Sequence, residues 1–304
     1  MPPTRLILDT DIGTDVDDAL ALAFVLGSPE LQLEAVTCVY GDVDLRARMV
    51  LKLLQLRGRR DVPVYAGASR PLLGLRPTYW AGHEGVGLLE PGDESLAAER
   101  EHAVDYLVRA IMASPVQLHL AAIGPLTNVA LAMLREPRLA ASLAHLTIMG
   151  GALRGPADLD LEYAEWNIRC DPEAAHVVMT SGAPITLVPI DVTRRVSVRR
   201  EHLPLIEAAG TPFHRAVADQ LARYPRFAER GATHAHDPLA IATLVEPAIV
   251  TTRRLSVEVE TGGRLAAGAT LMRQPTDERP ANAAVALEVD AARAVELVVA
   301  RVSA

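Results

Sequence analysis

Leu6-Ile7-Leu8-Asp9-Thr10-Asp11-Ile12-Gly13-Thr14-Asp15-Val16-Asp17-Asp18-Ala19-Leu20-Ala21-Leu22 is the stretch that decides the fold. Its opening apolar run, bounded by turn chemistry, reads as a buried parallel strand, and the run from Ala19 to Leu26 reads as a helix. An acidic helix N-terminus suits the helix dipole. The carboxylates therefore fall in a strand-to-helix loop at the carboxyl end of a strand, where open α/β sheets bind ligands. One or two acids there are ordinary capping. Five, at Asp9, Asp11, Asp15, Asp17 and Asp18, repel one another unless protons or a cation neutralise them. A metal site is the economical reading.

No Cys or His stands among these acids, which favours a hard ion, calcium or magnesium, over zinc. An EF-hand register starting at Asp9 fails, because Thr14 stands where the turn glycine belongs and Leu20 where the bidentate glutamate belongs. Asp9-Thr10-Asp11 also resembles the strand-end motif of haloacid dehalogenase-like phosphatases. That family places Thr or Val where this chain has Gly13, and it commonly uses a lysine on the phosphate. The only lysine here, Lys52, lies inside the helical pattern from Met49 to Leu56.

The chain has 304 residues, 50% of them hydrophobic and 4% aromatic, enough for a large core. A net charge of −8 without a basic stripe argues against binding nucleic acid. Cys38 and Cys170 belong to no cysteine motif and fit buried, reduced thiols. With no apolar run of membrane-span length and no recognisable leader, the sequence predicts a cytoplasmic protein with no membrane contact.

Strand and helix patterns alternate along the chain. Strands are predicted at Leu33–Tyr40, Val62–Tyr65, Val116–Ile123, Leu146–Met149 and Ile185–Val192, and later at Leu255–Glu260, Ala269–Met272 and Ala284–Val289. Helices are predicted at Val43–Leu56, Glu99–Met112, Leu126–Leu134 and Pro172–Ser181, in segments up to Ala222, from near Asp237, and from Ala291. With no linker and no repeat, residues 1–304 read as a single α/β domain. Its mostly parallel open sheet carries helices on both faces. Asp11, Asp42, Gly124 and Gly151 fall just past the carboxyl ends of predicted strands, so they converge on one crevice.

Four blocks then carry a resemblance over nearly the whole length. They are Asp9-Thr10-Asp11 with Asp17-Asp18-Ala19-Leu20-Ala21-Leu22, Ile123-Gly124-Pro125-Leu126-Thr127-Asn128, Ala164-Glu165-Trp166-Asn167 followed by Asp171-Pro172-Glu173-Ala174-Ala175, and His236-Asp237-Pro238-Leu239-Ala240. His83 lies in a further matching loop, Gly82-His83-Glu84-Gly85. In their order and spacing the chain resembles the calcium-dependent nucleoside hydrolases of the inosine-uridine preferring type. The resemblance implies hydrolysis of the N-glycosidic bond of a ribonucleoside, a calcium ion as cofactor, and a homodimer or homotetramer. It assigns Asp11 as general base and calcium ligand, with Asp18, Asp237 and the Ile123 carbonyl completing the ligands. Asp17, Glu165 and Asn167 would hold ribose hydroxyls, with Asp42 and His83 nearby and Trp166 packing near the sugar. His236 would sit over the leaving base as proton donor.

The chemistry is coherent with these roles. N-glycosidic cleavage passes through a sugar with oxocarbenium character, which negative charge stabilises. Calcium gathers carboxylate, carbonyl, water and diol oxygens together. Local chemistry alone gives plainer readings: Asp17 and Asp237-Pro238 are also helix-capping patterns, and His83 and His236 suit ordinary loop histidines. The spacing of Glu165 and Asn167 places both side chains on one face of an extended segment.

Three features depart from the family pattern. The loop between Gly13 and Asp17-Asp18 is longer by two residues, which leaves Asp15 as an alternative metal ligand. Asp42 stands where Asn is usual. A Gly-Asn segment is absent from Gly155-Pro156-Ala157-Asp158-Leu159-Asp160, so one sugar contact is missing or is supplied by Asp158 or Asp160. Two other classes compete with a hydrolase: a nucleoside- or sugar-binding member without turnover, and the phosphatase. Free ribose and base, binding without turnover, and released phosphate are their respective signatures.

Overall fold

The structure, a computed structural model, describes residues 2–153 and 164–304. Asp158 and Asp160 fall outside the described residues. Nine strands form one sheet: β1 (Thr4–Thr10), β2 (Leu31–Cys38), β3 (Val64–Ala66), β4 (His119–Ala122), β5 (His145–Met149) and β6 (Ile185–Val188), then three from the C-terminal part. Between them β7 (Ser197–Arg199) and β8 (Ala232–His234) make a separate antiparallel pair, and β9 (Val250–Val259), β10 (Thr270–Arg273) and β11 (Ala283–Val289) complete the large sheet. Its order is β10-β9-β11-β6-β5-β4-β1-β2-β3. Every neighbour pair from β11 to β3 is parallel, and only β9 runs against both of its neighbours. This is the expected α/β architecture.

Alternation along β1 explains why both faces are covered. Leu6 and Leu8 enter one apolar cluster with Phe24, Leu53, Phe213 and Leu239, while Ile7 enters the other with Leu107, Val129 and Val178. Successive strand side chains point to opposite faces, so a strand apolar on both faces needs helices on both. Among the described residues no helix is long and apolar enough to cross a membrane.

The strand order places the site. From β1 the chain steps outward to β2 and β3, then returns to add β4 on the other side of β1. That reversal opens a crevice beyond the carboxyl ends of β1 and β4. Backbone bonds stitch its floor: Ile123 N–H donates to Asp9 O at 2.9 Å and Val39 N–H to Thr10 O at 3.0 Å.

Two predicted elements change and two unpredicted strands appear. β6 stops at Val188 because Pro189 has no N–H for the ladder, and Ile190–Thr193 turns helical instead of extending the strand. The helix expected from Glu99 begins at Ala103, where the His102 ring caps Val104, and Glu99 pairs with Tyr65 as an isolated bridge. β7 and β8, three residues each, are too short to show a period and were not expected.

Candidate active site

Past β1 the backbone turns at Gly13, whose φ of +121° is a conformation that favours glycine. The chain then enters the helix Asp17–Leu26 with two acids in its first turn. A second helix, His236–Val245, brings Asp237 in its own first turn to the same place. The Asp237 N–H donates to Asp17 Oδ2 at 3.1 Å, and the Thr10 hydroxyl donates to Asp18. Carboxylate oxygens of Asp17, Asp18 and Asp237 lie within 4.8 Å of one another, and all three residues are buried.

Burial and mutual repulsion push Asp17, Asp18 and Asp237 well above the ordinary carboxylate range. Asp11 is raised to about 6, chiefly by burial, against the lowering field of Arg46. Asp9, deeper in the sheet, is raised by burial to about 7 although it accepts from Thr37 at 2.5 Å and Asn128 at 2.8 Å. A buried group of like charges held this close fits a divalent cation, and an all-oxygen donor set fits a hard one.

Close packing fixes Asp11. A Cβ on Gly124 would stand 2.7 Å from Asp11 Oδ1 and 3.0 Å from its backbone nitrogen, so only glycine lets the β4 turn approach. Arg46, wholly buried, donates from Nε to Tyr40 O at 2.6 Å and from Nη1 to the carbonyls of Asp11 and Ile12. Its Nη2 donates to Thr14 Oγ1 at 3.1 Å.

Glu165 and Asn167 are arranged otherwise than an extended segment requires. Glu165 is the N-cap of the short helix Trp166–Cys170, and its carboxylate accepts from Gly151 N–H at 2.9 Å, Asn167 N–H at 2.9 Å and Ile168 N–H at 3.2 Å. Capping a helix turn replaces the shared strand face. Burial outweighs those three donors and raises Glu165 to about 7. Asn167 Nδ2 donates to Ile123 O at 2.8 Å and Met149 O at 3.2 Å, so it grips the carbonyl expected to ligate the metal. Trp166 packs edge-on to Tyr79, with the Arg169 guanidinium 5.0 Å from its ring centre.

The remaining candidates lie around this centre. Asp15, the alternative ligand, accepts from Val16 N–H at 2.7 Å and from the Tyr224 hydroxyl at 2.9 Å. Asp42 is exposed and caps the helix Val43–Arg57 through Leu45 N–H. His83 Nε2 contacts Thr14 O at 3.0 Å. His236 Nδ1 pairs with Thr193 Oγ1 at 2.6 Å. Burial, with His234, Arg194 and Arg226 nearby, lowers His236 to about 3. Burial thus disfavours the charged form of this imidazole.

Comparison with known proteins fits this geometry. Residues 6–296 match the family model of the inosine-uridine preferring nucleoside hydrolases. The chain belongs to that family. It is 36% identical to the pyrimidine-specific ribonucleoside hydrolase RihA of Citrobacter koseri, over 98% of this chain and 97% of that one. Among solved structures, a plant nucleoside hydrolase, the PpNRh1 enzyme, is 32% identical over the whole of both chains with a TM-score of 0.85. The purine-preferring ribonucleoside hydrolase from Gardnerella vaginalis is 30% identical, covering 99% and 98%, with a TM-score of 0.88. As a nucleoside hydrolase, this protein cleaves an N-glycosidic bond.

Two groups of this nucleoside hydrolase escaped the sequence reading. Arg46 sits in a helical pattern between exposed acids and arginines, where nothing local separates a buried guanidinium from a solvated one. Glu84 is buried and accepts from Thr14 Oγ1 at 3.0 Å, Ala81 N–H at 2.8 Å and Gly82 N–H at 2.7 Å. Its place in the Gly82-His83-Glu84-Gly85 block is the signal the sequence carries for it.

Proposed function

We propose that this protein hydrolyses ribonucleosides to ribose and a free base with a calcium ion as cofactor. The observation that carries the reading is the buried convergence of Asp17, Asp18 and Asp237 beside Asp11 at the sheet's switch point. Asp11, Asp18, Asp237 and the Ile123 carbonyl would hold the ion. When bound, calcium supplies a high-coordination electropositive centre that collects ribose and water oxygens and lowers the acids' pKa values.

Around that centre the chain's residues divide the work. Asp11, fixed by Gly124 and Arg46, accepts the proton of the attacking water. Asp17 and Asn167 bind ribose hydroxyls, and Glu165, rigidly held by three N–H donors, faces the sugar as a further acceptor. Negative charge across the sugar stabilises its oxocarbenium character. Trp166 flanks the sugar, and exposed Asp42 stands at the rim.

The base side takes its character from His83 and His236. A cavity of about 260 Å³ lined by Gly13, Asp15, Met49, His83, Gln220 and Tyr224 lies against the carboxylate loop on the His83 side. A neutral His236 anchored on Thr193 supports a hydrogen bond to the base more than delivery of a proton. The protein is further read as one domain, cytoplasmic and homo-oligomeric.

Incubating the purified protein with purine and pyrimidine ribonucleosides, with calcium and after chelation, tests the proposal. Free ribose and base in equal amounts are expected with calcium alone. Binding without turnover, or turnover undiminished by chelation, would overturn it.

A further inference from the structure

Among the described residues Arg46 is the largest side chain wholly withdrawn from solvent, and the mechanism above gives its guanidinium no contact with the substrate. A guanidinium in a protein interior carries a desolvation penalty of several kcal/mol unless it is paired. None of its hydrogen-bond acceptors is a carboxylate. They are the carbonyls of Tyr40, Asp11 and Ile12 and the hydroxyl of Thr14. Trp80 covers the group, with its ring centre 5.0 Å from the guanidinium carbon.

These acceptors have one thing in common. Three of the four belong to residues 11–14, the stretch that leaves β1 and turns at Gly13 towards Asp17 and Asp18. A planar fork with fixed N–H directions sets the relative positions of several oxygens at once, which a lysine ammonium on a flexible stem does not. Thr14 passes the restraint on: its hydroxyl donates to Glu84 at 3.0 Å, and its carbonyl meets His83 at 3.0 Å. Without such a tie, a glycine-containing loop carrying repelling acids is free to splay.

We propose that Arg46 is a positioning residue that presets the carboxylate loop from behind, so that the cage stands assembled before the cation arrives. The proposal rests on the calcium reading above. Its positive charge alone would oppose a cation, so geometry and charge make opposite predictions. A preset site binds more tightly because the ordering cost is met in folding rather than in binding.

Calcium titration of chelator-stripped protein by calorimetry separates these. Arg46→Lys keeps the charge and loses the fork. It should weaken calcium binding by about tenfold or more and shrink the calcium-induced rise in melting temperature, with kcat largely recovered at saturating calcium. Arg46→Met should also bind calcium more weakly than the wild type. Unchanged affinity in Arg46→Lys, or tighter binding in Arg46→Met, overturns the proposal. Should neither variant fold, Thr14→Val removes the outer anchor together with its link to Glu84, and leaves Arg46 in place. A several-fold loss of affinity is then expected, and none overturns the proposal. A wild-type protein that takes up no calcium would instead sink the calcium reading itself.

Discussion

The Tyr224 hydroxyl donates to Asp15 Oδ2 at 2.9 Å and so binds the tip of the carboxylate loop to the end of the helix Pro212–Arg223. The same carboxylate caps Val16 N–H through its other oxygen. Both Asp15 oxygens are thus engaged away from the Asp17, Asp18 and Asp237 group. Asp15 thereby anchors the loop.

Asp15→Asn should accordingly leave calcium affinity within roughly threefold of the wild type, whereas Asp18→Asn should lower it on the order of 100-fold. Calorimetry on stripped protein measures both. A large loss in Asp15→Asn would return Asp15 to the ligand set.

Asp11→Asn keeps an oxygen near the ion and removes the proton acceptor. Turnover should fall by ~10²–10⁴ while the protein still binds nucleoside. Gly124→Ala tests the same carboxylate from the other side, because the added Cβ displaces Asp11. Its loss should appear in kcat more than in KM.

Asn167 holds the Ile123 carbonyl, beside the ribose contact proposed for it. Asn167→Ala should therefore lower kcat/KM alike for purine and pyrimidine nucleosides and also weaken calcium binding. A change confined to base preference would contradict the sugar-side assignment.

For His236 the comparison is between leaving groups. A neutral imidazole that only hydrogen-bonds the base predicts that His236→Ala slows an ordinary nucleoside by no more than about tenfold beyond a p-nitrophenyl riboside, less than the 10²–10⁴ typical of general acid catalysis. A selective loss far beyond that on the ordinary nucleoside would restore the proton-donor role.

Stability without metal should depend on pH in a definite sense. Asp9 and Glu165 titrate near 7 in the folded chain, against ordinary values of 3.8 and 4.5. The folded state then binds more protons than the unfolded state through that window, so stability rises as pH falls through 7. His236 acts oppositely: lowered from 6.5 to about 3, it costs stability as pH falls below 6.5. The melting temperature of chelated protein should climb as pH falls from 8.5, and climb less steeply from about 6.5 to about 4.5, because His236 offsets only one of the two proton uptakes. Calcium should flatten the climb, and calorimetry with and without it checks both.

Much of this was legible in the sequence because β1 is apolar on both faces and its acids cannot be explained by capping. Ile123, Gly124 and Asp237 were legible through their blocks. What was not legible depends on tertiary contacts. Arg46 looks like any arginine on an amphipathic helix until Tyr40 and the Asp11 loop close over it. Glu165 and Asn167 look strand-like until Gly151 offers its N–H and a helix turn forms. Pro189, visible in the sequence, marks the end of β6.

The strand order also governs when the site comes into being during synthesis. β1 must wait for β4, more than a hundred residues later, before Leu6 finds His119. The helix bearing Asp237 emerges later still. Pairings so distant in the chain form slowly. The N-terminal half leaves the ribosome carrying its acids but lacking Asp237, so a cation held by the proposed ligand set would not guide early folding. A polypeptide stopped short of Asp237 should fail to bind the ion however well its first strands have paired.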